Sequence, residues 1–221
     1  MTSAHGQLVD HPDKGGLSKD TTFQRIGFAH SEVSCDASRE RYHSEARDNI
    51  QRMRDLFSPY ASPSDTLRLL LEETWNPGAS LLSVEGRKAF IGICRFQDQG
   101  VDLNPHTDPG TQSSLDGRTR AGRTALGQHL HQHPAHRRRT RTMGHRTWRA
   151  RLQQAQGGRV WGLKRDQWGP PKAVIKPAPG DLLLLNPRQI HAVRPSSDEP
   201  RITLGHFIGY HGTDRPLTLW S

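Results

Sequence analysis

Cysteine is almost absent from this chain: Cys35 and Cys94 are the two in 221 residues. A single pair cannot supply a disulfide framework, and their spacing matches no zinc motif. The chain therefore reads as a protein of a reducing, cytoplasmic compartment. Long apolar runs are missing too. Apolar residues make up 32% of the chain and the mean hydropathy is −0.79. No stretch approaches the ~18 consecutive apolar residues of a membrane span. Met1–Gln7 has no apolar core of an export signal, so no membrane partner is expected. Lysine is missing from the most basic segment. Between residues 111 and 160 there are eleven arginines, five histidines, one acid (Asp116) and no lysine, a local balance of +10 in a chain whose total is +9.

The basicity thus belongs to one window and not to a domain surface. An arginine-rich arm could neutralise phosphates. The low apolar content, with neither helical nor strand periodicity, favours a solvated, disordered insertion, and nucleic acid is not the expected partner. Arginine without lysine is also what out-of-frame translation of a GC-rich gene produces, so residues 111–156 are read as an insertion or an aberrant stretch.

What remains is long enough for one domain with a substantial core, since a chain of this size buries roughly 70% of its unfolded surface. Residues 1–35 form a polar lead-in with one short strand expected around Phe28, and residues 36–221 form the domain. Tyr42, Ala46, Ile50, Met53 and Phe57 recur at helical spacing, which predicts a helix over Asp36–Phe57 ended by Ser58-Pro59. Ser62 as N-cap, Pro63 in the first turn and Asp65 behind it predict a second helix through Leu67, Leu70 and Leu71 to Trp75. Strand character follows from Ala79, over Ala89–Phe96, into His106, and again at Ala173–Ile175, Gly180–Asn186 and Arg201–Tyr210. Short strands after two helices predict a mainly β domain, a sandwich or rolled barrel, with helices on one side.

His106-Thr107-Asp108 and His191, 83 residues beyond Asp108, offer two imidazoles and a carboxylate. On an extended segment His106 and Asp108 point the same way. Such a set suits a borderline divalent ion and leaves coordination positions open. The triplet alone carries little weight, because His11-Pro12-Asp13, His30-Ser31-Glu32 and His43-Ser44-Glu45 repeat it. His43 is expected beside solvent-facing helix positions. Weight comes from the surroundings of His191. It follows an apolar strand opened by Gly180-Asp181, and Arg201 begins another strand in which Arg201, Thr203, Gly205 and Phe207 share one face. A guanidinium leading an apolar strand is costly to bury unless it meets an anion. A carboxylate ligand held by Arg201 and the Thr203 hydroxyl would be that anion, as would a structural acid. His206 has the opposite parity and is expected to pack or face solvent. Arg95 could face either the site or solvent.

These pieces resemble those of the Fe(II)/2-oxoglutarate-dependent oxygenases in their bacterial, prolyl-hydroxylase-like form, most closely over Phe90 to Asp108 and Val174 to Ser221. The resemblance implies a double-stranded β-helix of the jelly-roll or cupin-like kind. It implies Fe(II) on His106, Asp108 and His191, and the distal carboxylate of 2-oxoglutarate on Arg201 with Thr203 assisting. O2 would be the second cosubstrate and ascorbate a reductant. The implied reaction is hydroxylation of an unactivated C–H bond in a small molecule, amino acid or peptide, with release of succinate and CO2. Asp108 argues against halogenation, and Phe207 stands where nucleic-acid-demethylating relatives would show a second arginine. The window 111–156 departs from the family pattern, and only Gly157-Gly158-Arg159-Val160-Trp161 resembles the expected turn. Without its strands the barrel would be incomplete. A nucleic-acid-binding protein and a cupin-type metal protein without oxygenase activity remain the alternatives, and the sequence leaves substrate and oligomeric state open.

Overall fold

The computed structural model describes residues 8–10, 23–108, 123–131, 140–143, 165, 169–196 and 199–221, with the side chains of 123–131 and 140–143 excepted. Its elements in chain order are β1 (Val9–Asp10), β2 (Phe23–Ile26), a 3-10 turn (His30–Glu32), α1 (Asp36–Ser44), α2 (Ala46–Phe57), α3 (Pro63–Thr74), β3 (Ala79–Leu81), β4 (Ser83–Val84), β5 (Arg87–Lys88), β6 (Ile93–Gln97), β7 (Leu103–His106), β8 (Arg123–His131), β9 (Thr140–Met143), β10 (Ala173–Ile175), β11 (Leu182–Leu185), β12 (Ile190–Val193), β13 (Arg201–Tyr210) and β14 (Leu217–Trp220).

The second expected helix is α3. Ser62 Oγ accepts from the Asp65 amide at 3.1 Å, and Pro63 occupies a position whose amide has no intrahelical partner anyway. Leu67 is buried, Leu71 and Trp75 are half-buried, and Leu70 is exposed. The first expected helix is two helices, α1 and α2, parted at Glu45. The apolar stripe survives the break, because Tyr42, Ala46 and Met53 are buried and Ile50 and Phe57 half-buried against the sheet. His43 is buried rather than solvent-facing, with its Nδ1 at 3.1 Å from the Lys88 carbonyl. His30 and His43 pack edge-on to the Tyr42 ring, with ring centroids 5.4 and 5.2 Å away. Two of the competing triplets are therefore core packing. The third, at His11, lies outside the described residues. Burial, with help from His43 and Arg39, takes the His30 pKa down to about 4.

Strand β13 is the spine. One edge pairs with β8 along Ile202–Tyr210; the other pairs first with β6, over Arg201–Gly205, and then with β14, over Phe207–Gly209. Together with β1, β2, β3 and β11 these make an eight-stranded sheet, antiparallel except where β14 meets β3. A four-stranded sheet runs β10-β9-β12-β7, and β4-β5 form a small hairpin. The described residues are thus mainly β with three α-helices. Ile208 belongs to the apolar cluster that includes Leu71 and Trp75, and His206 Nε2 lies 2.8 Å from Ser64 Oγ on α3. This even-numbered face of β13 is therefore the helix side, which leaves Arg201, Thr203 and Gly205 facing away from the helices.

Several expected boundaries moved. The strand placed at Ala89–Phe96 begins at Ile93, with Ala89, Phe90 and Ile91 buried ahead of it. The strand placed around Phe28 is Phe23–Ile26, and Gly27 turns the chain after it with φ 95°. Two strands come from the arginine-rich window, β8 pairing with β13 and β11, and β9 pairing with β10 and β12. The rest of residues 111–156 lies outside the described residues.

Candidate metal centre

The register of two strands brings the histidines together. Strands β7 and β12 are antiparallel, and His106 and His191 are direct cross-strand partners. Such partners project to the same face of a sheet, and their rings sit with centroids 4.3 Å apart. Asp108, two residues beyond His106, is held by its own backbone, whose amide donates to the Pro187 carbonyl at 2.9 Å. Its carboxylate stands 3.5 Å from His106 Nε2 and 3.2 Å from His191 Nε2. One ligand atom from each of His106, Asp108 and His191 lies within 4.8 Å of the others. The structure thus assembles the three residues singled out by spacing.

The other nitrogen of each ring fixes its tautomer. His106 Nδ1 lies 2.6 Å from the Asn104 carbonyl and His191 Nδ1 lies 3.0 Å from the Gln189 carbonyl. A carbonyl only accepts, so both Nδ1 atoms carry the proton, and each neutral ring turns its Nε2 lone pair to the space beside the Asp108 carboxylate; when His191 is protonated, its Nε2–H donates to Asp108. Orientation of an imidazole by a carbonyl behind it is the arrangement metal-binding histidines use. Both histidines are buried. Burial lowers the His106 pKa to about 4 against the pull of Asp108. At His191 burial works in the same direction, but the hydrogen bond and charge of Asp108 outweigh it and the pKa rises. Burial resists ionisation of Asp108, yet His106, His191 and Arg95 hold its carboxyl well below the usual range. Two neutral nitrogen donors and one carboxylate on one side of a point fit a divalent ion of borderline softness.

Arg201 and Thr203 are both buried on β13. In register with them on β6 stand Gln97 and Arg95, and Arg95 is in turn opposite Arg25 on β2. This makes one polar wall. Arg95 exerts its charge on both Asp108 and His106, so the wall that carries Arg201 and Thr203 looks toward the triad. Arg95 takes the site-facing alternative. His206 is fully buried on the opposite face and is not brought to the site.

One positioning residue escaped the sequence. Arg165 pairs with Asp102, and its Nη2 also donates to the Leu103 carbonyl at 3.2 Å and the Val193 carbonyl at 3.1 Å. Leu103 and Val193 are register partners at the far end of the β7–β12 pair. The guanidinium therefore ties together the two strands whose alignment sets His106 against His191. No motif announces such a bond, because its acceptors are main-chain carbonyls that meet only after folding. Arg165→Ala should destabilise the protein by about 1 kcal/mol, the size of a partly exposed charge-assisted contact. It should also weaken metal binding by about tenfold, as loss of supporting contacts does. Denaturant melts and metal titration of the variant test both, and unchanged metal affinity would remove Arg165 from the site.

No family model and no curated protein matches the chain. Among solved structures it is similar to an N-substituted L-amino acid dioxygenase from Burkholderia ambifaria AMMD. That alignment has a TM-score of 0.60 and 15% identity, over 88% of this chain and 77% of that one. The same dioxygenase in complex with alpha-KG aligns with a TM-score of 0.59 and 14% identity over the same shares. HygX from Streptomyces hygroscopicus, solved with nickel and 2-oxoglutarate, aligns at 15% identity over 86% of this chain and 83% of that one, with a TM-score of 0.39. At these identities the likeness is one of architecture, and the chain shares the fold of the Burkholderia dioxygenase.

Proposed function

We propose that this protein is a non-haem Fe(II)- and 2-oxoglutarate-dependent dioxygenase that hydroxylates an unactivated C–H bond of a small molecule, amino acid or peptide, releasing succinate and CO2. The observation that carries the proposal is the convergence of His106 Nε2, His191 Nε2 and the Asp108 carboxylate at one point. The likeness in fold to a solved dioxygenase supports it. On this reading the two sheets are the halves of a double-stranded β-helix, and the triad lies on the smaller one.

Fe(II), when bound, supplies the redox chemistry with O2 that decarboxylates 2-oxoglutarate. The protein's part is to hold and to orient. His106, Asp108 and His191 would hold the ion by two imidazole nitrogens and one carboxylate oxygen. The Asn104 and Gln189 carbonyls keep the imidazoles in the tautomer that presents Nε2. Arg201 offers its planar fork to the distal carboxylate of 2-oxoglutarate, and the Thr203 hydroxyl adds a further donor. Both are buried, so the charge-assisted bonds form away from bulk water.

The test is an anaerobic titration with Fe(II) and then 2-oxoglutarate, followed by visible absorbance for the weak charge-transfer band of the chelate. The band should appear in the wild type and disappear in Asp108→Asn. Metal uptake without the band would point instead to a cupin-type metal protein, and no metal uptake by the folded protein would end the oxygenase reading.

A further inference from the structure

The polar wall carries more positive charge than the proposed cosubstrate uses. Arg25, Arg95 and Arg201 share the face of β2, β6 and β13 that looks at the triad. Arg25 is spoken for, since its guanidinium pairs with Glu32 and also donates to the Gly27 carbonyl. Arg201 is assigned above to 2-oxoglutarate. Arg95 is left. It lies within electrostatic reach of Asp108 and Glu32, and its guanidinium donates no hydrogen bond to any described residue. A guanidinium in a half-buried position is costly unless an anion completes it, and Glu32 is already taken by Arg25.

The strand opposite makes room for the guanidinium. A Cβ built on Gly205 would stand 2.7 Å from Arg95 Nη1 and 3.2 Å from Ile93 Cγ2. Gly205 therefore leaves room for the Arg95 head over β13, on the face that also carries Thr203 and Arg201.

We infer that Arg95 binds the carboxylate of the substrate, so that the molecule hydroxylated is a small carboxylic acid of amino-acid type rather than a neutral one. This rests on the oxygenase reading and names the substrate class within it. A planar fork suits a carboxylate by two parallel N–H bonds. Anchoring there would fix the acid end of the substrate and present its side chain to the open side of the metal.

The experiment compares succinate release from wild-type protein with Fe(II) and 2-oxoglutarate in the presence of two pools: N-methyl and N-acyl L-amino acids, and the primary amides of the same compounds. The acids should stimulate turnover and the amides should not. Arg95→Gln should raise KM for a stimulating acid by about 100-fold, as loss of a bidentate charged contact does, while the Fe(II)–2-oxoglutarate band stays intact. Arg95→Lys should recover part of the loss. Gly205→Ala should shift KM in the same direction, because it displaces the guanidinium without removing it. Equal stimulation by the amides, stimulation by neither pool, an unchanged KM in both Arg95→Gln and Gly205→Ala, or loss of the band in Arg95→Gln would each overturn the inference. Absence of the band from wild type would instead sink the oxygenase reading on which it stands.

Discussion

Asp108→Asn should cost the protein its divalent-metal affinity while leaving the fold in place. Asp108 is the one anionic donor in the cluster, and the amide that replaces it keeps the shape but loses the charge. Loss of a contact that merely supports a ligand weakens metal binding 10–100-fold, so loss of the charged ligand itself should exceed about 100-fold. Stability without metal should change little. The asparagine amide N–H can donate to Nε2 of the neutral His191, and the backbone bond from residue 108 to the Pro187 carbonyl does not depend on the side chain. Fe(II) or Mn(II) titration against a competing chelator, with a thermal melt of the metal-free protein, checks both halves. Tight metal binding by the variant would mean that the triad is an ordinary buried ion pair.

The same carboxylate sets the pH response. His106 is kept neutral by burial down to about pH 4 and is ready to donate its lone pair. His191 behaves differently, because Asp108 raises its pKa by hydrogen bond and charge. A proton on His191 competes with metal, so affinity should climb as pH rises through that raised range and level off above it. The metal-free protein shows the opposite sign from this group. Its raised folded pKa contributes stability below the unfolded value, and that contribution is lost as pH rises through the folded pKa. In Asp108→Asn the step in metal affinity should move to lower pH, since the cause of the upward shift has gone.

How far the sequence announced this arrangement depends on how local each signal is. The start of α3 is legible because Ser62, Pro63 and Asp65 act within one turn. Strand β13 appears with the expected bounds, Arg201–Tyr210, because Pro200 precedes it and its alternation is intact. The break at Glu45 is not legible, since the apolar spacing runs straight across it. The triad's membership could be read from residue types and parity, yet the fact that joins its halves is the register of β7 with β12. Register is a non-local choice that short strands specify weakly. Strand β8 is the extreme case. It comes from the arginine-rich window, where no apolar period marks it, and its place is fixed by pairing along the length of β13. Arg95 shows the intermediate situation: sequence put it on a strand before the motif, and only its pairing with Thr203 revealed which way it faces.

The second large effect should fall on cosubstrate affinity. Arg201 is buried, opposite Gln97, on the wall that looks toward the triad. If its fork holds the distal carboxylate of 2-oxoglutarate, Arg201→Ala removes two charge-assisted bonds and leaves that carboxylate in a partly dry site. Bonds to charged groups are worth about 1.5–3 kcal/mol each, so the dissociation constant for 2-oxoglutarate should rise by roughly 100-fold or more. Arg201→Lys keeps the charge but not the fork and should lose about tenfold. Thr203→Val, which removes one neutral donor, should lose only about fivefold. Metal affinity without 2-oxoglutarate should be the same in all three, because none of them touches His106, Asp108 or His191. The order Ala, Lys, Val from worst to mildest, read from the midpoint of the 2-oxoglutarate titration, distinguishes a carboxylate anchor from an arginine that only buttresses β13. A buttress would lower the melting temperature in every variant and leave the midpoint where it was.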